Sequence, residues 1–168
     1  MPNIMIRSYR PRSDLPQIVR LIREELAPLS ANPVSRDSLS KRRIAERLTR
    51  GRVYIAAAGK TAPPAGFIHV MIIKHMLQID MLAVSPSSRN RSLGARLLTQ
   101  AEHYGAAQGC HASKLYVDEA NDRAQRFYAR FGYRVTLYLP DLRCYEMMKP
   151  LLFDYQNPPY PYGLPYAP

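Results

Sequence analysis

The chain is poor in cysteine, in acidic residues and in long apolar runs, and each shortage closes off a class of protein. Two cysteines, Cys110 and Cys144, cannot build a disulfide scaffold or a four-ligand zinc centre. His69 and His75 do not stand at a metal-ligand spacing, so no metal is expected. No apolar run approaches the roughly 18 residues that a membrane span needs, and no membrane partner is expected. Arg7, Arg10 and Arg12 interrupt the region where a secretion signal would place its apolar core. A reduced, cytoplasmic protein is the expectation. Acidic residues number 13 against 24 lysines and arginines, a net charge of +11. Such an excess suits a basic solvated surface or a polyanionic partner, and it disfavours polycationic acceptors such as polyamines. Nucleic acid is not expected as a partner, because neither an RNA-recognition signature nor a helix-turn-helix pattern is present. The glycine-rich phosphate motifs of Walker and dinucleotide-binding loops are missing as well.

What is present is one domain's worth of globular sequence. At 168 residues, 46% hydrophobic and 22% charged, the chain can bury a substantial core. Ile4 to Tyr9 alternates as a first strand. Ser13 and Asp14 are candidate caps for a helix whose apolar stripe, Leu15, Ile18, Val19, Ile22 and Leu26, has a period of 3.6 and stops before Pro28. Residues 28–37 read as a loop. Ser38 to Arg50 reads as a second amphipathic helix with one strongly basic face, either solvated or a contact for an anionic surface. Gly51 closes it.

Strands are expected at Val53–Ala58, Ala65–Ile73 and His75–Val84, in an antiparallel meander. After a helix over Leu93–Ala107, a strand at Ser113–Asp118 should run parallel to the one before it. Asn121 can cap a further helix that Gly132 ends, and strands at Tyr133–Leu139 and Arg143–Met148 follow. The final 16 residues hold 5 of the 15 prolines and 4 of the 12 tyrosines. The domain is therefore drawn over residues 1–152, with residues 153–168 as a Pro/Tyr-rich tail, either extended or docked on a partner or cleft.

One stretch organises the rest. Met81 to Val84 reads as the end of a buried strand, Ser85 to Ser92 as a turn, and Leu93 onward as a helix. The first turn of a helix offers unpaired N–H groups and a positive dipole end, which suits phosphate. Arg89 and Arg91 add planar cationic forks, and Gly94 permits close approach to the backbone. Taken alone, the loop is equally an ordinary connection with solvated arginines.

A second stretch, Asn121 to Tyr133, changes the reading. Arg89-x-x-Ser92-x-Gly94 followed by Asn121-x-x-Ala124-x-x-Phe127-Tyr128-x-x-x-Gly132-Tyr133 resembles the GCN5-related N-acetyltransferase (GNAT) family over about residues 4–150. The second motif matches at every position. In the first, Ser92 stands where the family usually has glycine, which implies weaker binding of the coenzyme.

The resemblance implies an α/β (α+β) fold, a mixed and mostly antiparallel sheet of six to seven strands flanked by about four helices. It implies acetyl-CoA as cofactor and transfer of its acetyl group to a primary amine, by direct attack in a ternary complex. Leu82, Ala83 and Val84 would pair with the pantetheine arm like an added strand. Arg89, Asn90, Arg91, Ser92, Leu93, Gly94 and Ala95 would hold the pyrophosphate. Asn121 would contact the arm or cap its own helix.

Tyr128 would be the general acid beside the sulfur, or else a core aromatic. Asp80 would be the general base, a structural carboxylate or an attractor of the ammonium, and a water chain could replace it. Cys110 with His111 makes a poor nucleophilic dyad, since adjacent strand residues face opposite ways. The acceptor, a small-molecule or protein amine, is not specified, and the assembly stays open between monomer and homodimer. The reading of a different class is a non-catalytic GNAT-fold acyl-CoA sensor or binding module.

Overall fold

The computed structural model describes residues 3–32 and 34–151. The Pro/Tyr-rich tail expected at 153–168 lies outside the described residues. Seven strands form one sheet: β1 (Met5–Ser8), β2 (Arg52–Ala57), β3 (Pro64–Ile73), β4 (Met76–Val84), β5 (Ala112–Asp118), β6 (Arg134–Leu139) and β7 (Cys144–Pro150). Their order across the sheet is β1-β2-β3-β4-β5-β7-β6. Every neighbouring pair is antiparallel except β4–β5, which is parallel because a helix crosses between them. Four α-helices flank the sheet: α1 (Pro11–Leu21), α2 (Lys41–Leu48), α3 (Leu93–Ala107) and α4 (Asp122–Arg130). The mixed, mostly antiparallel sheet expected from the sequence is the one found.

Alternation along β2 explains the layering. Val53 and Ile55 face one way, packing with Ile18, Ile22, Ile44 and Leu48 of the first two helical segments. Tyr54 and Ala56 face the other way, into a cluster with Leu97, Leu98 and Ala101 of α3. Strand period two thus feeds a separate core on each face of the sheet. Gly51 sits at the entry to β2 with φ +85°, and a Cβ there would meet the Val70 carbonyl oxygen at 2.1 Å. Only glycine fits that turn.

The first helix departs from expectation at both ends. It begins at Pro11, with Arg10 at the cap, rather than at Ser13 or Asp14. Pro11 takes the first-turn position that needs no N–H, and Pro16 lies inside the helix. Asp14 is instead fully buried, and its carboxylate accepts the Arg10 N–H at 2.8 Å and two bonds from Arg7 at 2.7 and 2.8 Å. Burial alone would raise the Asp14 pKa, but the bonds from Arg7 and from the Arg10 N–H turn the shift downward. Nor does the helix stop before Pro28. It runs on through a π turn at Ile22–Leu26 and a 3-10 turn at Ala27–Leu29, with Pro28 in the first turn of the latter, where its missing N–H costs nothing. His75 is a turn residue, since Lys74 and His75 have φ of 49° and 63° in the hairpin joining β3 to β4.

Candidate active site

The site begins where β4 and β5 part. The two strands pair at three positions only, Met76↔Ala112, Leu77↔Ser113 and Gln78↔Lys114. Beyond Gln78 the edge of β4 that faces β5 is open, while its other edge stays paired to β3 through Val84↔Gly66, Ala83↔Phe67 and Leu82↔Ile68. In a strand alternate N–H and C=O groups point to opposite sides. The Leu82–Val84 backbone therefore presents donors and acceptors to the gap. A cavity of about 670 Å³ occupies it, lined by these three residues, the loop after β4, and one side of α4.

The loop is shaped for an anion. Asn90 and Ser92 both adopt left-handed backbone, with φ of 62° and 57°. Ser92 stands at the cap of α3 without a side-chain cap bond. The N–H groups of Leu93, Gly94 and Ala95, which line the cavity, have no acceptor among the described residues. Gly94 keeps the helix start close to α4, because a Cβ there would lie 3.3 Å from the Phe127 ring. Arg89, Asn90 and Ser92 also line the cavity. Arg91 is exposed and is not among the lining residues.

The second expected motif closes the other wall. Asn121 caps α4, its side-chain oxygen accepting the Ala124 N–H at 3.1 Å, and it lines the cavity at the same time. Tyr128 is buried, and its ring packs edge-on against Phe127 and Tyr133 at centroid distances of 5.1 and 5.6 Å. Its hydroxyl has no hydrogen-bond partner among the described residues, and the side chain borders the cavity. Burial pushes the phenol well above its usual range, so it keeps its proton at neutral pH. Behind it the Tyr133 hydroxyl is bonded to Ser113 Oγ at 2.8 Å and Glu102 Oε1 at 3.0 Å, and Lys149 donates to Glu102 at 2.8 Å. Tyr133 is thereby fixed as a wall for Tyr128.

Asp80 lies elsewhere. It is the extra residue of a bulge in β4, between the pairs His69↔Met81 and Val70↔Ile79. Arg47 of α2 donates to both its oxygens at 2.7 Å, and His69 Nδ1 lies 2.7 Å from Oδ2. His69 is fully buried, and its Nε2 contacts the Arg50 carbonyl oxygen. Burial would raise the Asp80 pKa, but the bonds from His69 and Arg47 overcome it and bring the carboxyl down to about 2. Asp80 does not line the cavity. A carboxylate so firmly held is a poor proton acceptor at neutral pH.

Sequence reasoning missed three charged residues that line the cavity, Glu25, Arg123 and Arg130. Glu25, in the π turn after α1, borders the cavity and pairs with Arg89. The signal was hidden because the chain was expected to leave the helix near Pro28 without the extra turn that swings Glu25 toward the loop. Arg123 and Arg130, on the solvent side of α4, also reach the rim. Cys110 is fully buried, as a small core residue, and burial raises its thiol pKa. Among the described residues no group of three or more His, Cys, Asp or Glu could hold a metal, and no helix is long and apolar enough to cross a membrane.

A parallel strand pair that splays over an uncapped helix start is the architecture of an acyltransferase fold, and the family model agrees. The model of the acetyltransferase (GNAT) family matches residues 17–133, and the chain belongs to that family. A blasticidin-S acetyltransferase of Streptomyces morookaense is 33% identical over 86 residues, 51% of this chain. The match spans 62% of that relative's length. Among solved structures, the PaiA N-acetyltransferase of Thermoplasma acidophilum in complex with coenzyme A superposes with a TM-score of 0.75 at 23% identity, covering 88% of this chain and 99% of that one. Ard1 from Thermoplasma volcanium gives 0.73 at 20% identity, covering 89% and 98%. At such identities these two likenesses speak for the fold.

Proposed function

We propose that the protein is an acetyl-CoA-dependent N-acetyltransferase that carries the acetyl group to a primary amine within a ternary complex. The observation that carries this reading is the open edge of β4 at Leu82–Val84, which leads from the parting of β4 and β5 to the uncapped start of α3. Family membership and the partial match to an acetyltransferase support it.

The residues present fit the coenzyme. Three unpaired N–H groups and a helix dipole suit a diphosphate, and an open strand edge suits an amide-bearing arm. Arg123 and Arg130 at the rim suit the 3′-phosphate. Bound acetyl-CoA supplies the acetyl group as an activated thioester. The chain's own part is alignment and proton management. The free N–H groups of β4 orient the carbonyl and favour negative charge on its oxygen. Tyr128 holds a proton in the cavity wall, ready to be given to the departing sulfur. Asp80 serves as a positioning carboxylate that ties α2 to the bulge of β4, and the amine's proton leaves by solvent.

The withdrawal of Asp80 from the cavity also suits the second reading, a ligand sensor on the same fold. One experiment separates the two. Acetyl-CoA should raise the melting temperature, and a panel of primary amines should then release thiol. A thermal shift without thiol release from any amine favours the sensor, and no shift removes both readings.

A further inference from the structure

Among the described residues the cavity is lined by one carboxylate, Glu25, and that carboxylate is already paired. Glu25 and Arg89 both line the cavity and pair with each other, joining the π turn after α1 to the loop after β4. Both are partly sheltered, with 17% and 31% of their side chains exposed, so the pair is screened by solvent less than one on open surface. π turns within helices recur where a side chain has to be re-aimed at a site, and here the side chain so aimed is Glu25. Leu26 and Leu29, beside it in the chain, put apolar surface on the same wall. Arg89 therefore has two anions within its reach: Glu25, and whatever anion sits on the N–H groups of α3. A diphosphate offers the planar guanidinium more charge and more acceptor oxygens than one carboxylate does.

We infer that Glu25 reads the acceptor's ammonium group, and that Arg89 holds Glu25 in reserve until the coenzyme's diphosphate draws the guanidinium away. The inference rests on the acetyltransferase reading and names its acceptor class: a single primary ammonium on an apolar body. The released carboxylate binds the cation, while Leu26 and Leu29 cover the body. Coenzyme and acceptor then bind with positive coupling, and by linkage each tightens the other by the same factor. The overall charge of +11 keeps polyamines out, whereas one partly sheltered carboxylate admits a monocation.

The test uses the full chain with coenzyme A, phenethylamine as the monocation on an apolar body, and 2-phenylethanol as its neutral counterpart, with binding read by calorimetry. In the parent protein, phenethylamine should bind about tenfold tighter when coenzyme A is saturating, and 2-phenylethanol should show no such gain. Glu25→Gln should abolish the gain and, by freeing Arg89, tighten coenzyme A severalfold. Arg89→Gln should weaken coenzyme A yet let phenethylamine bind without it. A gain that survives Glu25→Gln, a gain shared by 2-phenylethanol, or no phenethylamine binding beside coenzyme A overturns the inference while leaving the acetyltransferase reading intact. Failure of coenzyme A to bind the parent protein removes both.

Discussion

Arg47 and Asp80 meet in a two-pronged ion pair, Nε to Oδ2 and Nη2 to Oδ1, each at 2.7 Å. The pair fastens the exposed face of α2 to the bulge of β4, and His69 braces the carboxylate from the core side. Two planar groups joined by parallel bonds fix orientation as well as distance. The bulge is thus held from two elements at the point where β4 begins to leave β5.

This arrangement makes acid stability the first prediction. Asp80 falls from an ordinary value of 3.8 to about 2 in the fold. A carboxyl whose pKa is depressed by folding stabilises fully above its unfolded value and loses that contribution as pH falls through the folded one. The window is therefore between about pH 4 and pH 2, and the contribution at neutral pH is about 2 kcal/mol. Urea unfolding of Asp80→Asn against the parent should show that deficit at pH 7 and a smaller one at pH 3. The acidic limb of the pH–rate profile should persist in the variant, and its disappearance would restore Asp80 as the base.

Tyr128→Phe keeps the ring and removes the proton. Its packing between Phe127 and Tyr133 should preserve the fold, and coenzyme binding should be unchanged. Turnover should fall by about 10²-fold, the lower end for a lost acid. Because burial raises the Tyr128 pKa, activity of the parent protein should not decline through this group between pH 7 and 9. Steady-state rates across that range check both statements.

Ser92→Gly tests the departure at the phosphate loop. Ser92 has φ 57°, a region that costs a side-chain-bearing residue about 1 kcal/mol. Glycine relieves that but loses roughly 0.5–1 kcal/mol through the freedom of its unfolded chain. The melting temperature should hardly move, while coenzyme A should bind severalfold tighter as the side chain leaves the approach to α3. Weaker binding would mean that the hydroxyl donates to phosphate.

Arg123 and Arg130 predict a chemical preference. If they hold the 3′-phosphate, the parent should bind coenzyme A about tenfold tighter than dephospho-coenzyme A. In Arg123→Gln/Arg130→Gln the two ligands should converge. The ratio of dissociation constants at one ionic strength is the measurement.

Local patterns were legible and long-range charge was not. Asn121 announced its cap, the alternation in β2 announced two faces, and the turn before Leu93 announced the loop. Gly132 and Tyr133 closed the second motif at their expected places. The start of α1 was misread because Ser13 and Asp14 are good caps in isolation, whereas the buried partner Arg7, on β1, draws Asp14 into the core. The links Glu25–Arg89 and Arg47–Asp80 span 64 and 33 residues, and no periodicity reports such a meeting. Asp80 was noticed, but the bonds that hold it come from α2 and from the neighbouring strand.

The three-rung seam between β4 and β5 leaves the sheet unfinished in its middle rather than at its margin. Backbone groups of β4 beyond Gln78 have no strand partner on that side among the described residues, so a bound extended arm would pair there. Whatever completes the missing rungs becomes, for as long as it stays, an honorary strand of the protein. If the gap takes the pantetheine arm as proposed, saturating coenzyme A would stabilise the folded chain by mass action and slow its proteolysis.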